Sequence, residues 1–444
     1  MKRFWLALAL ALVSSPTGCA YHNVLYNAQT LYDAAEVQRR AGDAAGAEAY
    51  YRDVVRKTGR AVRDRPDSDW APEALALLGR AHFRLGDLRA ATASLEGVLA
   101  RSDDPAARAE ARVYLAMISA EQGDRSRALA EVNRALEAPL SVGSLAEAHL
   151  LRGRLMLEGS YSDQGWWDLD RASTVDGRVR IEAGLERLYW GIRHDDKPRS
   201  RRAVQGLFSY RAGGARADTI ASLARVAEQR WGSDEAAALL DGVDAADWDR
   251  EPRGRVALER ARLLDESGDT AAAIAQAERV AAGLGVVAAD ARLLIAQWRL
   301  ERADDLAEVY AVRGVLLPSG ADPRVAGRLA AVDELESFAS LGLDEPLGWF
   351  AAAEVARDRL GADYVARGLF LAYADGAPSE PWAPKALLAA LEVSPDPSDR
   401  DWLRGRVEAH GDNPYVLAAH GGAPAGFEAL EEELELRLSA LTPR

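Results

Sequence analysis

Six histidines, one cysteine and four lysines bound what this 444-residue chain can do chemically. A single thiol, Cys19, excludes an internal disulfide, a multi-cysteine zinc site and an iron–sulfur cluster. Lysine occurs only at 2, 57, 197 and 385, and no Gly-x-x-x-x-Gly-Lys loop exists to cradle a triphosphate. No Gly-x-Ser-x-Gly elbow presents a nucleophile. Among His22, His82, His149, His194, His410 and His420, no two stand at the i, i+4 spacing that puts two metal ligands on one helical face. His194-Asp195-Asp196 is the densest metal-like cluster, but it leads into Pro198, Arg199, Arg201 and Arg202 and reads as a solvated mixed-charge loop. His420-Gly421-Gly422 has the form of an oxyanion loop with no nucleophile to serve, and reads as a helix break. Gly283-Leu284-Gly285-Val286-Val287-Ala288 superficially matches a dinucleotide fingerprint, which works only between a strand and a helix. Between two Ala-rich stretches it reads as a connecting turn. Acid pairs are everywhere and single out no glycosidase dyad. The expectation is a chain that is not an enzyme, with no cofactor and no metal site.

Stacking chemistry is a different matter. Tyr161, Trp166, Trp167, Tyr189 and Trp190 cluster in sequence and suit either a platform for sugar rings or a peptide, or the filling between packed helices, the commoner use of large residues at helical spacing. The chain is 48% hydrophobic and 28% charged, which excludes collagen-like and disordered classes. Its net charge of −14, with no Lys/Arg-dense face, argues against nucleic acid as a partner.

At the N-terminus, Lys2 and Arg3 precede an apolar run from Phe4 to Val13, too short to span a bilayer and suited to the core of a secretion signal. Pro16-Thr17-Gly18-Cys19 follows. This segment resembles the signal sequence of bacterial lipoproteins, whose cysteine is acylated and becomes the first residue after cleavage. Gly18 and Cys19 match that pattern; Pro16 departs from the leucine-like residue usual three places before the cysteine. The resemblance implies a signal peptide over 1–18, lipidation of Cys19 and a tether over 19–23. Each buried acyl CH₂ contributes roughly 0.8 kcal/mol, so a multiply acylated cysteine anchors stably. Ala20, where an Asp would retain an inner-membrane protein, implies outer-membrane sorting and a periplasm-facing cell-envelope protein. Cleavage removes Lys2 and Arg3 and no acid, taking the net charge from −14 to −16.

The elements that must position any site are legible as repeats. Gly-Asp-x-x-x-Ala recurs at Gly42-Asp43/Ala47, Gly86-Asp87/Ala91, Gly123-Asp124/Ala128 and Gly268-Asp269/Ala273. Glycine tolerates the left-handed conformation that ends one helix, and aspartate caps the free N–H groups that begin the next. Leu75, Leu78 and Leu85 before the second of these turns, and Leu88, Ala91, Leu95, Val98 and Leu99 after it, recur at helical spacing. Small residues are also paired twelve positions apart: Ala35/Ala47, Gly79/Ala91, Ala116/Ala128, Gly153/Gly165, Gly191/Ala203 and Ala261/Ala273. A small side chain on each helix lets two backbones approach closely.

These residues resemble tetratricopeptide repeats, units of two antiparallel helices totalling about 34 residues. Copies run through 24–60, 66–104 and 106–139, with weaker ones at 144–179, 181–212 and 253–283. A degenerate copy at 346–379 keeps Gly361, Ala366, Phe370 and Pro378 but has Glu354 where a small residue belongs. Pro66-Asp67-Ser68-Asp69-Trp70-Ala71-Pro72-Glu73-Ala74-Leu75 is echoed by Pro378-Ser379-Glu380-Pro381-Trp382-Ala383-Pro384-Lys385-Ala386-Leu387, wording similar to the lipoprotein of outer-membrane β-barrel assembly and to the periplasmic coordinator of the Tol–Pal system. From 213 to 252 and 284 to 345 the period blurs, reading as irregular helical pairs. Phe427, Leu430, Leu434, Leu438 and Leu441 share one face of a final helix whose other faces carry glutamates, the pattern of a solenoid cap. A short coiled-coil seam is its rival, interrupted by Arg437.

The fold expected is therefore all-α: an α-solenoid of antiparallel helix pairs, irregular in the middle and capped by a C-terminal amphipathic helix. The divisions expected are repeats over 24–212, degenerate repeats over 213–345 and a C-terminal pair with its cap over 346–444. First helices of such stacks line a groove that takes extended peptides or helices. The residues that face away from the paired helix are Tyr32, Glu36, Arg39, Arg40, Arg80, Phe83, Arg84, Met117, Glu121 and Arg154, rich in the arginine and aromatic types of binding hot spots. The function expected is a protein-interaction scaffold of the envelope, outer-membrane assembly being the role the resemblance implies. Its partners are envelope proteins or peptides, and the membrane through the lipid anchor. The alternative is a lipoprotein that binds or regulates glycan or peptidoglycan.

Overall fold

A computed structural model describes residues 17–40, 43–159, 163–175, 177–394, 396–422 and 424–441, with the side chains of 17–23 and 40 outside the description. The signal segment, the Cys19 side chain and the Ala41-Gly42 half of the first turn fall outside it. No β-strand occurs among the described residues, and none of their helices is long and apolar enough to cross a membrane. The chain divides into two compact units between Gly213 and Gly214.

The Gly-Asp turns do what the residue types require. Gly86, Gly123 and Gly268 take φ of +77°, +78° and +93°, conformations costly for a residue with a Cβ. The following Asp N–H reaches back to the carbonyl of His82, Ser119 or Leu264, closing the preceding helix. Its carboxylate then accepts from the N–H three residues on, at 3.0 Å from Ala90, Arg127 and Ala272. Asp43 caps Gly46 in the same way at 2.8 Å. A fifth copy corrects the reading of His194-Asp195-Asp196 as a plain solvated loop. Asp195 takes φ +61° in place of glycine, and Asp196 donates its N–H to Gly191 O and caps Arg199 N at 3.0 Å. Aspartate is among the few residues that tolerate this conformation, which is why the turn survives without its signature glycine.

In the first unit these turns and equivalent loops join five hairpins: α1 (Thr17–Arg40) with α2 (Ala44–Asp64), α3 (Ala71–Arg84) with α4 (Leu88–Arg101), α5 (Pro105–Glu121) with α6 (Arg125–Leu136), α7 (Val142–Gly159) with α8 (Asp163–Ala172), and α9 (Arg178–Arg193) with α10 (Lys197–Phe208). The small-residue pairs sit where the two helices meet. A methyl group on Gly79 would lie 2.7 Å from Leu95 Cγ, and one on Gly153 would lie 3.0 Å from the carbonyl oxygen of Gly165. Ala35, Ala47, Ala116 and Ala128 are buried at the same places. One expected pair is displaced: the atoms nearest a built Cβ on Gly191 belong to Ser200, its N at 3.2 Å, and to Asp196 rather than to Ala203. The turn at Asp195-Asp196 puts Ser200 in the register that Ala91 occupies in α4, so Gly191 is one helical turn out of phase with Gly79.

The core passes from hairpin to hairpin. Ala35 and Val54 pack with Leu77 and Ala81 of α3; Leu75 and Leu95 pack with Leu115 and Ile118 of α5; Val113 and Val132 pack with Ala148 of α7; Leu157 and Leu169 pack with Ala183 and Trp190 of α9. Each first helix thus completes the core of the hairpin before it, the nearest-neighbour logic of repeat arrays.

The second unit continues with α11 (Ala217–Trp231) and α12 (Ser233–Leu239) in the first stretch expected to be irregular, α13 (Arg250–Glu266) and α14 (Thr270–Ala281) over the repeat expected at 253–283, α15 (Val286–Glu301), α16 (Leu306–Leu316) and α17 (Pro323–Leu341) in the second irregular stretch, and α18 (Leu347–Glu354) opening the degenerate copy. Ala261 and Ala273 pack α13 on α14, and Gly285 at φ +89° turns the chain into α15. A single π turn, Val355–Leu360, extends α18, and Gly361 at φ +69° leads into α19 (Asp363–Gly376). Glu354 is only half-buried there, and burial holds its carboxyl above the ordinary carboxylate range against the pull of Lys385 and Arg357. Helices α20 (Ala383–Glu392), α21 (Pro397–Glu408), α22 (Pro414–Ala419) and α23 (Phe427–Ala440) finish the chain.

Helix α23 closes the apolar end as expected. Leu434 is buried, and Phe427, Leu430, Leu438 and Leu441 pack beside it. Trp382 donates Nε1–H to Leu430 O at 3.1 Å, Lys385 pairs with Glu431 at 2.6 Å, and the Arg437 guanidinium lies 4.9 Å from the Trp382 ring centroid. Arg437, which interrupts a coiled-coil seam, therefore holds the cap. Trp70 and Trp382 start their helices with matching backbone angles, near φ −92° and ψ −5° in both, but Trp382 is fully buried under α23 while Trp70 is half-exposed.

The close approach at the small-residue pairs yields a prediction. Gly153→Val, which drives a branched side chain into Gly165 O and Leu169, lowers stability by about 2–4 kcal/mol, whereas Gly206→Ala, exposed within α10 with nothing near its Cβ, raises it by about 0.5–1 kcal/mol. Thermal unfolding followed by circular dichroism reads both, and a neutral Gly153→Val would contradict the packing described.

Candidate functional site

Measured from the small residue of each first helix, the register decides what faces outward from the hairpins. One residue on stand Glu36, Arg80, Met117 and Arg154; five residues on stand Arg40, Arg84, Glu121 and Glu158. Successive first helices carry these positions side by side, and two adjoining cavities run along them. One, of about 550 Å³, is lined by Tyr32, Glu36, Arg39, Arg84, Tyr114 and Met117, among others. The other, of about 480 Å³, is lined by Arg39, Phe83, Arg84, Met117, Glu121, Leu151, Arg154 and Glu158, among others. Arg39, Arg84, Met117, Glu147 and Arg178 belong to both. Arg80 instead borders an acidic recess with Asp67, Asp69, Glu73, Asp103, Asp104 and Glu110, and the Arg40 side chain lies outside the described residues.

Glu36 is the electrostatic hub of the groove. It accepts hydrogen bonds from Arg39 Nη2 at 2.7 Å, Arg84 Nε at 2.8 Å and Tyr51 Oη at 2.6 Å. Burial opposes its charge, but the Arg39 hydrogen bond, the Arg84 charge and the Tyr51 hydroxyl outweigh that and hold the carboxyl at about 2. The same burial and the nearby carboxylate push Tyr51 up to about 12. Arg84 also lies over the Phe83 and Tyr114 rings, at 5.6 and 6.0 Å. Two arginines expected to meet a partner are thus already engaged within the protein.

Further along, Arg178 pairs with Glu147 and with Glu182 at 2.5 Å, and Arg154 with Glu186 at 2.5 Å. Glu121 and Glu158 are exposed, and neither makes an ion pair or a side-chain hydrogen bond among the described residues. Tyr32 is 5% exposed, and its hydroxyl has no hydrogen-bond partner in the wall of the groove. Burial raises its pKa well above the phenolic value, and Arg80 lies 5.0 Å from its ring centroid.

Sequence reasoning missed Tyr114, Glu147, Leu151, Glu158, Arg178 and Glu182. For Glu158 the signal was present, since it follows Gly153 by the same five residues that separate Gly79 from Arg84 and Ala116 from Glu121. Arg178 and Glu182 lie on α9, whose turn lacks the glycine that marks the others.

The aromatic cluster splits. Trp166 and Trp190 are buried; Trp167 and Tyr189 are 45% and 41% exposed; Tyr161 lies outside the described residues. Trp167 packs edge-on against His149 and under Arg171, whereas Tyr189 packs on Trp190 and accepts from Arg193. The two exposed rings therefore have no neighbour in common among these contacts. His149 and Arg152 both grip the fully buried Asp168, at 2.8 and 2.7 Å, tying α7 to α8. Burial opposes the Asp168 charge, but these hydrogen bonds prevail and its pKa falls. Among the described residues no group of three or more His, Cys, Asp or Glu side chains is placed to hold a metal ion.

Neither a protein-family model nor a curated protein matches the chain. Solved structures align with it at low scores. A tetratricopeptide repeat protein from Parabacteroides merdae shares 18% identity over 60% of this chain and 97% of its own, with a TM-score of 0.32. The TPR domain of P58(IPK) shares 12% identity over 83% of this chain and 98% of its own, with a TM-score of 0.21. A human IFIT1 dimer with m7Gppp-AAAA shares 11% identity over 80% of this chain and 72% of its own, with a TM-score of 0.26. The tetratricopeptide-like character of the fold stands on its own hairpins, their Gly-Asp turns and their small-residue crossings.

Two measurements test the groove chemistry. Glu36 has a folded pKa near 2, below its unfolded value of about 4.3, so its stabilisation is complete above about pH 5 and vanishes as pH falls through 2. Glu36→Gln therefore destabilises the protein at pH 7, and the gap between the two proteins closes toward pH 2 in urea titrations across pH. Tyr32→Phe removes a buried hydroxyl without a partner and raises stability by up to about 1–2 kcal/mol in the free protein; a loss of that size would mean the hydroxyl is bonded.

Proposed function

We propose that this chain is a non-catalytic scaffold of the bacterial cell envelope. It is lipid-anchored through Cys19 at the outer membrane, faces the periplasm, and takes segments of partner proteins into the groove of its first unit during outer-membrane assembly. The observation that carries the binding reading is the pair of adjoining cavities along the first helices, with Phe83, Tyr114, Met117 and Leu151 as apolar lining between charged rims. Such a mixture of apolar floor and charged rim suits extended or helical peptides. The anchoring half of the proposal rests on Gly18-Cys19 behind the Phe4–Val13 run. Glycan binding has less support, because the exposed aromatics Trp167 and Tyr189 pack on different partners, His149 and Trp190, and no contact joins the two rings among those described.

A photo-crosslinking residue at Met117 in the full chain, followed by mass spectrometry of solubilised envelopes, is expected to capture an envelope protein that is lost when Phe83→Asp is added. Fatty-acid labelling is expected on the wild type and not on Cys19→Ser. Recovery of no envelope protein at Met117, or label retained by Cys19→Ser, would remove the respective half of the proposal. Charge reversal at Arg84 is a poor probe, since it sets an acid against Glu36 and breaks the fold's own hydrogen bonds.

A further inference from the structure

The charges of the groove do not balance. Arg39 and Arg84 share Glu36, Arg154 pairs with Glu186 and Glu182, and Arg178 pairs with Glu182 and Glu147. Each of these four described guanidiniums has a carboxylate partner, Arg39 and Arg84 the same one. What is left over is Asp33, which accepts from Gln29 beside the other cavity, and a pair, Glu121 and Glu158, exposed on neighbouring first helices at the same register and bordering the same cavity of about 480 Å³. A carboxylate brought to the α1–α3 end would meet two arginines already bound to Glu36 and would face Glu36 and Asp33. A cation brought to the α5–α7 end would meet two carboxylates that have no competing partner. Between these ends the lining is apolar at Phe83, Met117 and Leu151.

Resting on the groove reading above, we infer that the partner segment is apolar and cationic: it seats uncharged side chains against Phe83, Met117 and Leu151 and places a lysine or arginine over Glu121 and Glu158. Rim charges of this kind set specificity and association rate more than bulk affinity, so the preference shows as discrimination between peptides and as salt dependence.

The test presents a displayed library of random twelve-residue peptides to the detergent-solubilised full chain, to Glu121→Gln/Glu158→Gln and to Met117→Asp. Both glutamates are solvent-exposed, so their glutamine variants keep the fold, as circular dichroism checks. The wild type is expected to enrich peptides that join apolar residues to Lys or Arg. A synthesised winner should bind the double glutamine variant about threefold to tenfold more weakly, the scale of two exposed ion pairs, with a flatter salt dependence. Its Lys→Gln analogue should not distinguish the two proteins. Winners that are acidic or neutral, or whose affinity is unchanged in the double variant although Met117→Asp abolishes binding, overturn the cationic inference and leave the groove standing. No enrichment, or winners indifferent to Met117→Asp, overturns the groove itself and this inference with it.

Discussion

The structure depends on how closely the two helices of each hairpin approach. At Gly79 and Gly153 there is no room for a larger side chain, Ala116 and Ala128 are fully buried at theirs, and after α3 and α5 the turn that delivers the second helix is set by a left-handed glycine followed by an aspartate cap. A hairpin formed this way still has an uncovered apolar face, which the first helix of the next hairpin covers. Stability is thus assembled from short-range terms between neighbours, and the last neighbour must be something else: in the second unit it is α23, held by Trp382, Lys385 and Arg437.

Because the first helices are the ones buried against neighbouring hairpins, variety on them is left to the positions that still face outward. There the same register carries Arg84, Glu121 and Glu158 in turn, while Glu36, Arg80, Met117 and Arg154 occupy the position beside it. The backbone repeats and the chemistry does not. Glu36 shows how such a surface spends part of its charge on itself: a single carboxylate accepts hydrogen bonds from two arginines and a tyrosine and ties α1, α2 and α3 together.

Much of this was legible from residue types. Gly-Asp-x-x-x-Ala gave away three glycine turns within the described residues, and the leucines and glutamates of 427–441 announced a cap. The fifth turn was not legible because Asp195 performs the glycine's conformational task, and the shift it brings moved Gly191 away from Ala203 and onto Ser200. Helices between 284 and 345 were blurred for a different reason: their turn glycines, Gly285, Gly320 and Gly342, are not followed by the capping aspartate of the other turns, and buried alanines carry little periodic contrast.

Eight of the ten groove residues named from the sequence line one or other of the two adjoining cavities, because facing is set by helical period alone. What period could not decide was occupancy. Local spacing determined that these chains of residues form helices, that the helices pair, and which side chains turn outward. Only the packed structure decided that Arg39 and Arg84 are committed to Glu36, that Arg178 bridges Glu147 and Glu182, and that Glu121 and Glu158 are left over. The physical reason is that a helix's face follows from dihedral geometry within a few residues, whereas an ion pair is a contest among charges brought together from distant parts of the chain.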